Sequence, residues 1–231
     1  MAGDEAALLQ NTPLFAAMAI DAVSRLAEKA TRRSYARGEV IFREDDPGDA
    51  LFVVVSGLVK VYRSSLDGDE MVLVTLGPRA VFGELPMIDG GVRSASAAAV
   101  EPTMVLTLKR SALLEALQSS LELADGLLRS MGSMVRRLTD QAADLVFLDL
   151  HGRVAKLLLA LSEELGTSEP GGCALDLHLT QTDLANMVGG SRQSVNQVLN
   201  SFERLGYLDL DGRRILIRRP ELLQKRAGQS A

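Results

Sequence analysis

The sequence predicts an α+β chain in three parts: a β-rich N-terminal sandwich or jelly roll, a long helix, and a C-terminal module of two short helices with a β-hairpin. Three observations carry this. Across residues 40–109, short β-rich runs alternate with turn residues. Residues 113–148 contain no proline and repeat central residues at heptad spacing. Residues 179–206 hold two capped segments that meet at Gly189-Gly190.

The chain has 231 residues, 47% of them hydrophobic, enough for one large domain or two ordinary ones without disulfides. Near the start, Leu14, Met18, Val23, Leu26 and Ala30 fall at helical spacing and predict one or two short helices over 13–30. Seven or eight strands follow, with runs at 40–42, 51–56, 58–63, 71–76, 80–82, 96–100 and 104–109. Asp46-Pro47-Gly48-Asp49, Asp67-Gly68-Asp69 and Gly77-Pro78 are turn signals between them. In the long helix, Leu127, Met131, Met134, Leu138, Gln141, Leu145 and Leu148 step by four and three. Such a seam suits a second copy of the chain, although two heptads can also pack on the sandwich. Gln141 is the polar break in the seam. Asp149 and His151-Gly152 predict a hinge, followed by a helix over 153–165 and a loop at Gly166 and Pro170-Gly171-Gly172. The expected domains are N-terminal helices with a β-rich roll at 1–112, a dimerisation helix at 113–148 and a C-terminal domain at 149–231.

The formal net charge is −5, which by itself argues against nucleic acid. Its distribution reverses that reading. Residues 149–231 are balanced, and residues 180–226 carry eight basic against five acidic side chains. Cys173 is the one cysteine, so an internal disulfide and a cysteine-ligated iron–sulfur cluster within one chain are both excluded. His151 and His178, the two histidines, lie far apart in sequence and predict neither zinc nor haem. The acidic start lacks a basic signal-peptide region, and no apolar run has membrane-spanning length. The expectation is a cytoplasmic protein with no membrane partner. No nucleophile–base pair, metal cluster or phosphate loop points to an enzyme.

In the C-terminal module, Thr180 with Asp183 predicts a near capping box, and Leu184, Ala185 and Val188 supply an apolar face. Ser191 caps a second helix whose apolar positions are Val195, Val198, Leu199 and Phe202. Its N-terminal end presents Arg192, Gln193, Ser194, Asn196 and Gln197. Arg can hold a guanine edge with two donors, and Asn or Gln can pair with adenine. Ser191 and Ser194 can reach phosphate near the helix N-terminus, and Thr180 joins this set. The turn Asp211-Gly212 predicts a hairpin carrying Arg213, Arg214, Arg218 and Arg219, a wing suited to phosphate or simply an Arg-rich exposed strand. A second constellation is Phe82-Gly83-Glu84-Leu85 followed by Arg93-Ser94-Ala95. Glu84 can accept from a ribose hydroxyl, Arg93 can pair with a cyclic phosphate, and Gly83 permits close approach. Equally, Glu84 and Arg93 can form a salt bridge that closes a loop.

The order and spacing of five stretches resemble the cAMP receptor protein/FNR (Crp/Fnr) superfamily. They are Gly38-Glu39-Val40-Ile41-Phe42, Phe82-Gly83-Glu84-Leu85, Arg93-Ser94, Phe147-Leu148-Asp149-Leu150 with Gly152-Arg153, and Val188-Gly189-Gly190-Ser191-Arg192-Gln193-Ser194-Val195. The resemblance covers nearly the whole chain. It implies a β-roll that binds cyclic nucleotides, a long dimerisation helix and a winged helix-turn-helix. It also implies a phosphate-binding cassette at Gly83, Glu84, Leu85, Arg93 and Ser94. Where cAMP-responsive members place Thr then Ser or Asn against the base, this chain has Gln141 and Ala142. Gln141 can still hydrogen-bond a base. Effector candidates are therefore cAMP first, then cGMP or cyclic di-GMP, or none, and no cofactor is required. Arg192 matches the family's guanine-reading Arg. Gln193 replaces a Glu and Gln197 an Arg or Lys, so the half-site should differ at those bases. The implied protein is a homodimeric transcription regulator that binds a palindromic operator in double-stranded DNA and meets RNA polymerase. A constitutive regulator with a relic cassette, and a nucleotide-binding module that acts through protein partners, remain alternatives.

Overall fold

The run β3 (Ala50–Ser56) is apolar at nearly every position because both of its faces are buried. Leu51 and Val53 point into a core shared with helices, while Phe52 and Val54 point between two sheets. Alternate side chains of one strand thus serve two cores. The computed structural model describes residues 2–176, 179–212 and 214–228 and divides into two compact units, Met1–Arg136 and Arg137–Ala231.

In the first unit, α1 (Ala2–Gln10) and α2 (Ile20–Glu28) precede eight strands. Besides β3 these are β1 (Thr31–Tyr35), β2 (Val40–Phe42), β4 (Val59–Ser64), β5 (Glu70–Leu76), β6 (Val81–Phe82), β7 (Ser96–Ala99) and β8 (Thr103–Lys109), with the short α3 (Leu85–Asp89) between β6 and β7. They form two antiparallel four-stranded sheets, ordered β1-β8-β3-β6 and β2-β7-β4-β5. Phe52, Val54, Val59, Phe82, Ala97 and Val105 fill the space between the sheets. On the other face, Leu106 of β8 packs in one core with Leu9, Phe15, Leu26 and Leu113 of the helical layer. β1 and α1 escape the sequence reading. β1 reads Thr-Arg-Arg-Ser-Tyr, is almost wholly exposed, and is held by backbone pairing to β8 at the sheet edge.

The expected continuous helix over 113–148 is divided into α4 (Arg110–Ser119) and α5 (Leu121–Phe147). Ser120 is extended, and its Oγ accepts from the Leu123 backbone N–H (3.2 Å) and donates to Glu122 (2.9 Å). A serine in that position starts a helix, which no proline or glycine was needed to signal. The face of α5 also differs from the expected seam. Leu127 joins Leu123 in the core of the first unit. The exposed row is Leu128, Val135, Leu138 and Leu145, flanked by half-buried Met131 and exposed Ala142. Leu138 and Leu145 keep their places from the expected seam, while Leu128, Val135 and Ala142 expose the positions one residue past Leu127, Met134 and Gln141.

In the second unit, α6 (Leu150–Leu165) starts three residues before its expected position because Asp149 caps it, accepting from the Gly152 N–H at 2.8 Å. The expected loop at 166–172 is largely the hairpin β9 (Thr167–Glu169) and β10 (Gly172–Asp176). Then come α7 (Gln181–Val188), α8 (Arg192–Arg204), the hairpin β11 (Leu208–Asp211) and β12 (Arg214–Ile217), and α9 (Pro220–Arg226). The sheet is ordered β11-β12-β10-β9. Among the described residues no helix is long and apolar enough to cross a membrane, and no cluster of three or more His, Cys, Asp or Glu is placed to hold a metal.

Gly126 sits where α5 meets the turn after α1: a methyl group there would lie 2.5 Å from the Leu14 carbonyl oxygen. The backbone, not a movable side chain, blocks it. Gly126→Ala is expected to destabilise the first unit by roughly 1–3 kcal/mol through overpacking, read as a lowered urea midpoint.

Candidate functional sites

The first constellation gathers where β6 runs into α3. Gly83 adopts a left-handed φ of 74° and is followed by Glu84, the N-cap residue of α3. A methyl group at Gly83 would come 2.7 Å from Arg93 Nη1 and 3.2 Å from Phe52, so both conformation and space demand glycine. Arg93 is 3% exposed. Its Nη1 donates to the Gly83 carbonyl (2.8 Å) and its Nη2 to the Ala50 carbonyl (2.7 Å). The guanidinium lies 4.3 Å over the Phe42 ring and 5.5 Å from that of Phe52, and Phe42, Phe52 and Phe82 form one aromatic cluster. The Arg93 backbone pairs with the 45–46 turn, donating to the Asp46 carbonyl and accepting from the Asp45 N–H, both at 2.9 Å.

Burial pulls the Arg93 guanidinium below its ordinary pKa, opposed by the carboxylates of Asp49, Asp46 and Glu84. The buried Nε has no hydrogen-bond partner. Gly83, Glu84, Leu85 and Arg93 are therefore brought together in the first unit: Glu84 is buried, Leu85 half-buried and the adjoining Ser94 exposed. Gln141 lies half-buried on α5 in the second unit, beside exposed Ala142. Of the three acids around Arg93, Asp46 and Asp49 are what the sequence reading missed. Asp46 and Asp49 read there simply as turn residues.

The second constellation is built from helix caps. Thr180 Oγ1 accepts from the Asp183 N–H at 3.1 Å, while the Asp183 carboxylate accepts from the Thr180 N–H at 2.8 Å, completing the capping box. α7 ends on Gly189 in left-handed conformation. Ser191 then caps α8, accepting from the Ser194 N–H at 3.1 Å, and the two serine hydroxyls share a 2.8 Å hydrogen bond. Both hydroxyls thus serve their own helix first. Val195, Val198, Leu199 and Phe202 are buried, which turns Arg192, Gln193 and Gln197 to the exposed side and leaves Asn196 half-buried. A cleft of about 480 Å³ runs beside this end of α8, lined by Thr180, Gln181, Thr182, Arg192 and Gly212 among others. Gln181 and Thr182 were not singled out from sequence. Polar residues in the first turn of α7 are the signal that could have found them.

On the hairpin, Arg214 pairs with Glu169 of β9 and lies 4.0 Å from Asp176. Arg218 holds Asp209 at 2.7 Å and the Gly171 carbonyl at 3.3 Å. These guanidiniums tie the sheet together before they can serve anything outside it. Arg213 lies outside the described residues.

Residues 32–120 match the family model for a cyclic nucleotide-binding domain, and residues 152–226 the model for a Crp-like helix-turn-helix domain. Among curated proteins, the chain is similar to the CRP-like cAMP-activated global transcriptional regulator of Mycobacterium tuberculosis, 36% identical over 220 residues, covering 95% of this chain and 98% of the relative. Among solved structures, it is similar to FixK2 from Bradyrhizobium japonicum, with a TM-score of 0.78 and 27% identity over 87% of this chain and 99% of that one. It is also similar to the c-di-GMP responsive regulator CLP from Xanthomonas campestris, with a TM-score of 0.76 and 25% identity over 86% and 99%. With a cyclic nucleotide-binding domain match in one part of the chain, a Crp-like helix-turn-helix match in the other, and a relative matched along nearly its full length, the chain belongs to the Crp/Fnr family of transcription regulators.

Proposed function

We propose that this regulator is a homodimer that reads a palindromic operator through α8 and is gated by a cyclic nucleotide held at Gly83, Glu84, Leu85, Arg93 and Ser94. The observation that carries the reading is Arg93. A buried guanidinium beside a left-handed glycine and a buried carboxylate offers paired recognition of a phosphate and a sugar hydroxyl. The relative in M. tuberculosis is described as cAMP-activated, which supports cAMP as the first candidate. The Xanthomonas protein is described as c-di-GMP responsive, which keeps the cyclic dinucleotide in view. Gln141 is assigned to the base, and RNA polymerase is the expected further partner on DNA.

Two observations favour a second reading, in which DNA binding needs no effector. Two of the Arg93 donors already hold backbone carbonyls, and Ala142 offers nothing to a base. Effector binding must then exchange existing hydrogen bonds for new ones, and only the difference drives a change of state.

On the DNA side, Arg192, Gln193, Ser194, Asn196 and Gln197 are assigned to base edges and nearby backbone, with Thr180, Ser191, Arg213 and Arg214 toward phosphate. The exposed row Leu128, Val135, Leu138 and Leu145 of α5 is assigned to the second copy of the chain.

Three measurements test these assignments. Calorimetry with cAMP, cGMP and cyclic di-GMP should show binding by one of them, weakened by about 1.5–3 kcal/mol in Arg93→Gln. Absence of heat with all three supports the effector-independent reading. An operator selected from random DNA should be palindromic, and Arg192→Ala should cost roughly 1–3 kcal/mol and relax one base position. An unaltered affinity for that variant would remove α8 as the reader. Val135→Glu places a charge in the proposed dimer seam. Sedimentation should show monomers, with operator affinity lost in parallel.

A further inference from the structure

The hairpin β11–β12 can meet the same duplex as α8 only if it keeps a set distance from that helix. The chain between them does little to set it. It turns through Gly206, which has a left-handed φ of 69° and where an added methyl group would meet nothing within 4 Å. The base of the hairpin is anchored on α8. Tyr207 donates its N–H to the Phe202 carbonyl at 2.9 Å, and the two rings stack with centroids 5.6 Å apart. A further tie lies three residues on. The Leu210 N–H donates to Glu203 Oε1 at 3.1 Å, and Glu203 is in the last turn of α8.

The ladder explains why that N–H is available. β11 is the edge strand of its sheet and pairs antiparallel with β12, Leu208 opposite Ile217 and Leu210 opposite Ile215. The Tyr207 carbonyl accepts from the Arg218 N–H at 2.9 Å, so the pair that begins the ladder is a hydrogen-bonded one. Such pairs alternate along an antiparallel ladder, and Leu210 falls on the other kind. Its N–H therefore points away from β12, toward the open edge of the sheet. Edge amides of this sort need a partner other than a strand. Glu203 supplies it from the recognition helix itself.

The tie has a geometric consequence. Leu210 and Gly212 line the cleft of about 480 Å³ whose other wall includes Arg192 and Leu199 of α8. The side chain of Leu210 shares a face with that of Leu208, which is fully buried. Where β11 lies along α8 thus sets the width of the cleft, and with it the distance from the hairpin turn to Arg192.

We propose that Glu203 is a positioning residue for DNA binding: its carboxylate holds β11 against α8 at Leu210 and presets the separation of the wing from Arg192. The inference rests on the reading of α8 and the wing as the DNA-binding elements, but the hold itself can be measured without DNA.

Charge and position predict opposite signs. Glu203 lies eleven residues beyond Arg192, about 16 Å along the helix axis. That is roughly twice the screening length of about 8 Å in physiological salt. As a charge alone, Glu203 repels phosphate weakly, and removing it should raise affinity slightly. As a hold, it spares the complex the cost of ordering a loose wing, and removing it should lower affinity. Glu203→Gln removes the charge and keeps an acceptor oxygen, whereas Glu203→Ala removes both.

The test uses the full chain and an operator selected from random DNA. E203A should weaken operator binding by about threefold or more, because the wing must then be ordered on binding. The loss should be alike for operators that differ in base sequence, with a shallower salt dependence, because phosphate contacts carry no sequence information. E203Q should stay within about twofold of wild type, since a screened charge at that distance contributes little. Phosphate ethylation interference should show wing-side contacts weakened in E203A and the Arg192 base position unaltered. Without DNA, hydrogen exchange at the Leu210 amide should be slow in wild type and E203Q and fast in E203A.

The proposal is overturned if E203A binds the operator as well as wild type or better, or if E203Q loses as much as E203A. Fast exchange of the Leu210 amide in wild type overturns it too, and that measurement decides the question if E203A does not fold. If wild type makes no wing-side phosphate contact, the DNA reading of the wing fails and the binding role of Glu203 falls with it. The exchange result then still shows whether Glu203 holds the strand.

Discussion

A guanidinium cannot be buried without partners, and the first unit is arranged around meeting that demand for Arg93. Unpaired burial of such a charge costs several kcal/mol. Here two carbonyls, an aromatic face and three nearby carboxylates share the task. The carbonyls belong to Ala50 at the start of β3 and to Gly83 between β6 and α3. The Arg93 backbone simultaneously closes the 45–46 turn. One residue thus ties its own segment, through side chain and backbone together, to residues 45–50 and to Gly83. Gly83 must be glycine partly because Arg93 occupies the space where its methyl group would stand. The residue assigned to recognise an effector is therefore also a structural part of the domain that would receive it.

The architecture was legible wherever burial was one-sided or chemistry was local. The strands of the β-roll declared themselves through apolar runs bounded by Asp, Gly and Pro. The helix pair declared itself through Thr180, Asp183, Gly189 and Ser191, all of which perform the capping or turn role their chemistry suggests. What stayed hidden was structure whose cause lies elsewhere in the chain. β1 has no apolar pattern because β8 supplies its reason to be extended. Likewise β10 is fixed by its pairing to β12, so 166–172 reads as a loop when taken alone. Leu127 fits a heptad perfectly well, yet the core of the first unit claims it. Periodicity identifies a helix with an apolar face. It does not say which of two neighbouring rows meets which partner.

The same division holds for the sites. Residue types and order pointed to Gly83, Glu84 and Arg93, but not to Asp46 and Asp49, whose importance is electrostatic and depends on the fold of a turn. On the hairpin, counting arginines overstated the free positive charge. Arg214 and Arg218 are neutralised by Glu169 and Asp209 across the sheet. Exposed ion pairs of this kind contribute little stability, but they do reduce the field available to DNA phosphates. The local excess of basic residues is thus a weaker argument for DNA than it looks in sequence. The cap-built presentation of Arg192, Gln193 and Gln197 is a stronger one.

Helix ends supply the common logic of both units. A regulator gated in one place and reading DNA in another, as proposed above, needs firm attachment of its helix ends. Helix termini are good attachment points, because their orphaned carbonyls and N–H groups are rigidly placed and strongly polar. In the second unit the ends of α5 and α7 are held together by Arg153; in the first, Arg93 holds the Gly83 carbonyl, which lies just outside the start of α3 and is not itself an orphaned helix group. A ligand that draws Arg93 outward must release Gly83 and Ala50, which alters the start of α3 directly. A shift at the end of α5 must either move Val188 or break a charge-assisted hydrogen bond. In both places the cheapest response to a local displacement is a rigid movement of a helix end. Two arginines bonded to backbone carbonyls thus tie the segment ahead of α3, and the ends of α5 and α7, to the elements around them.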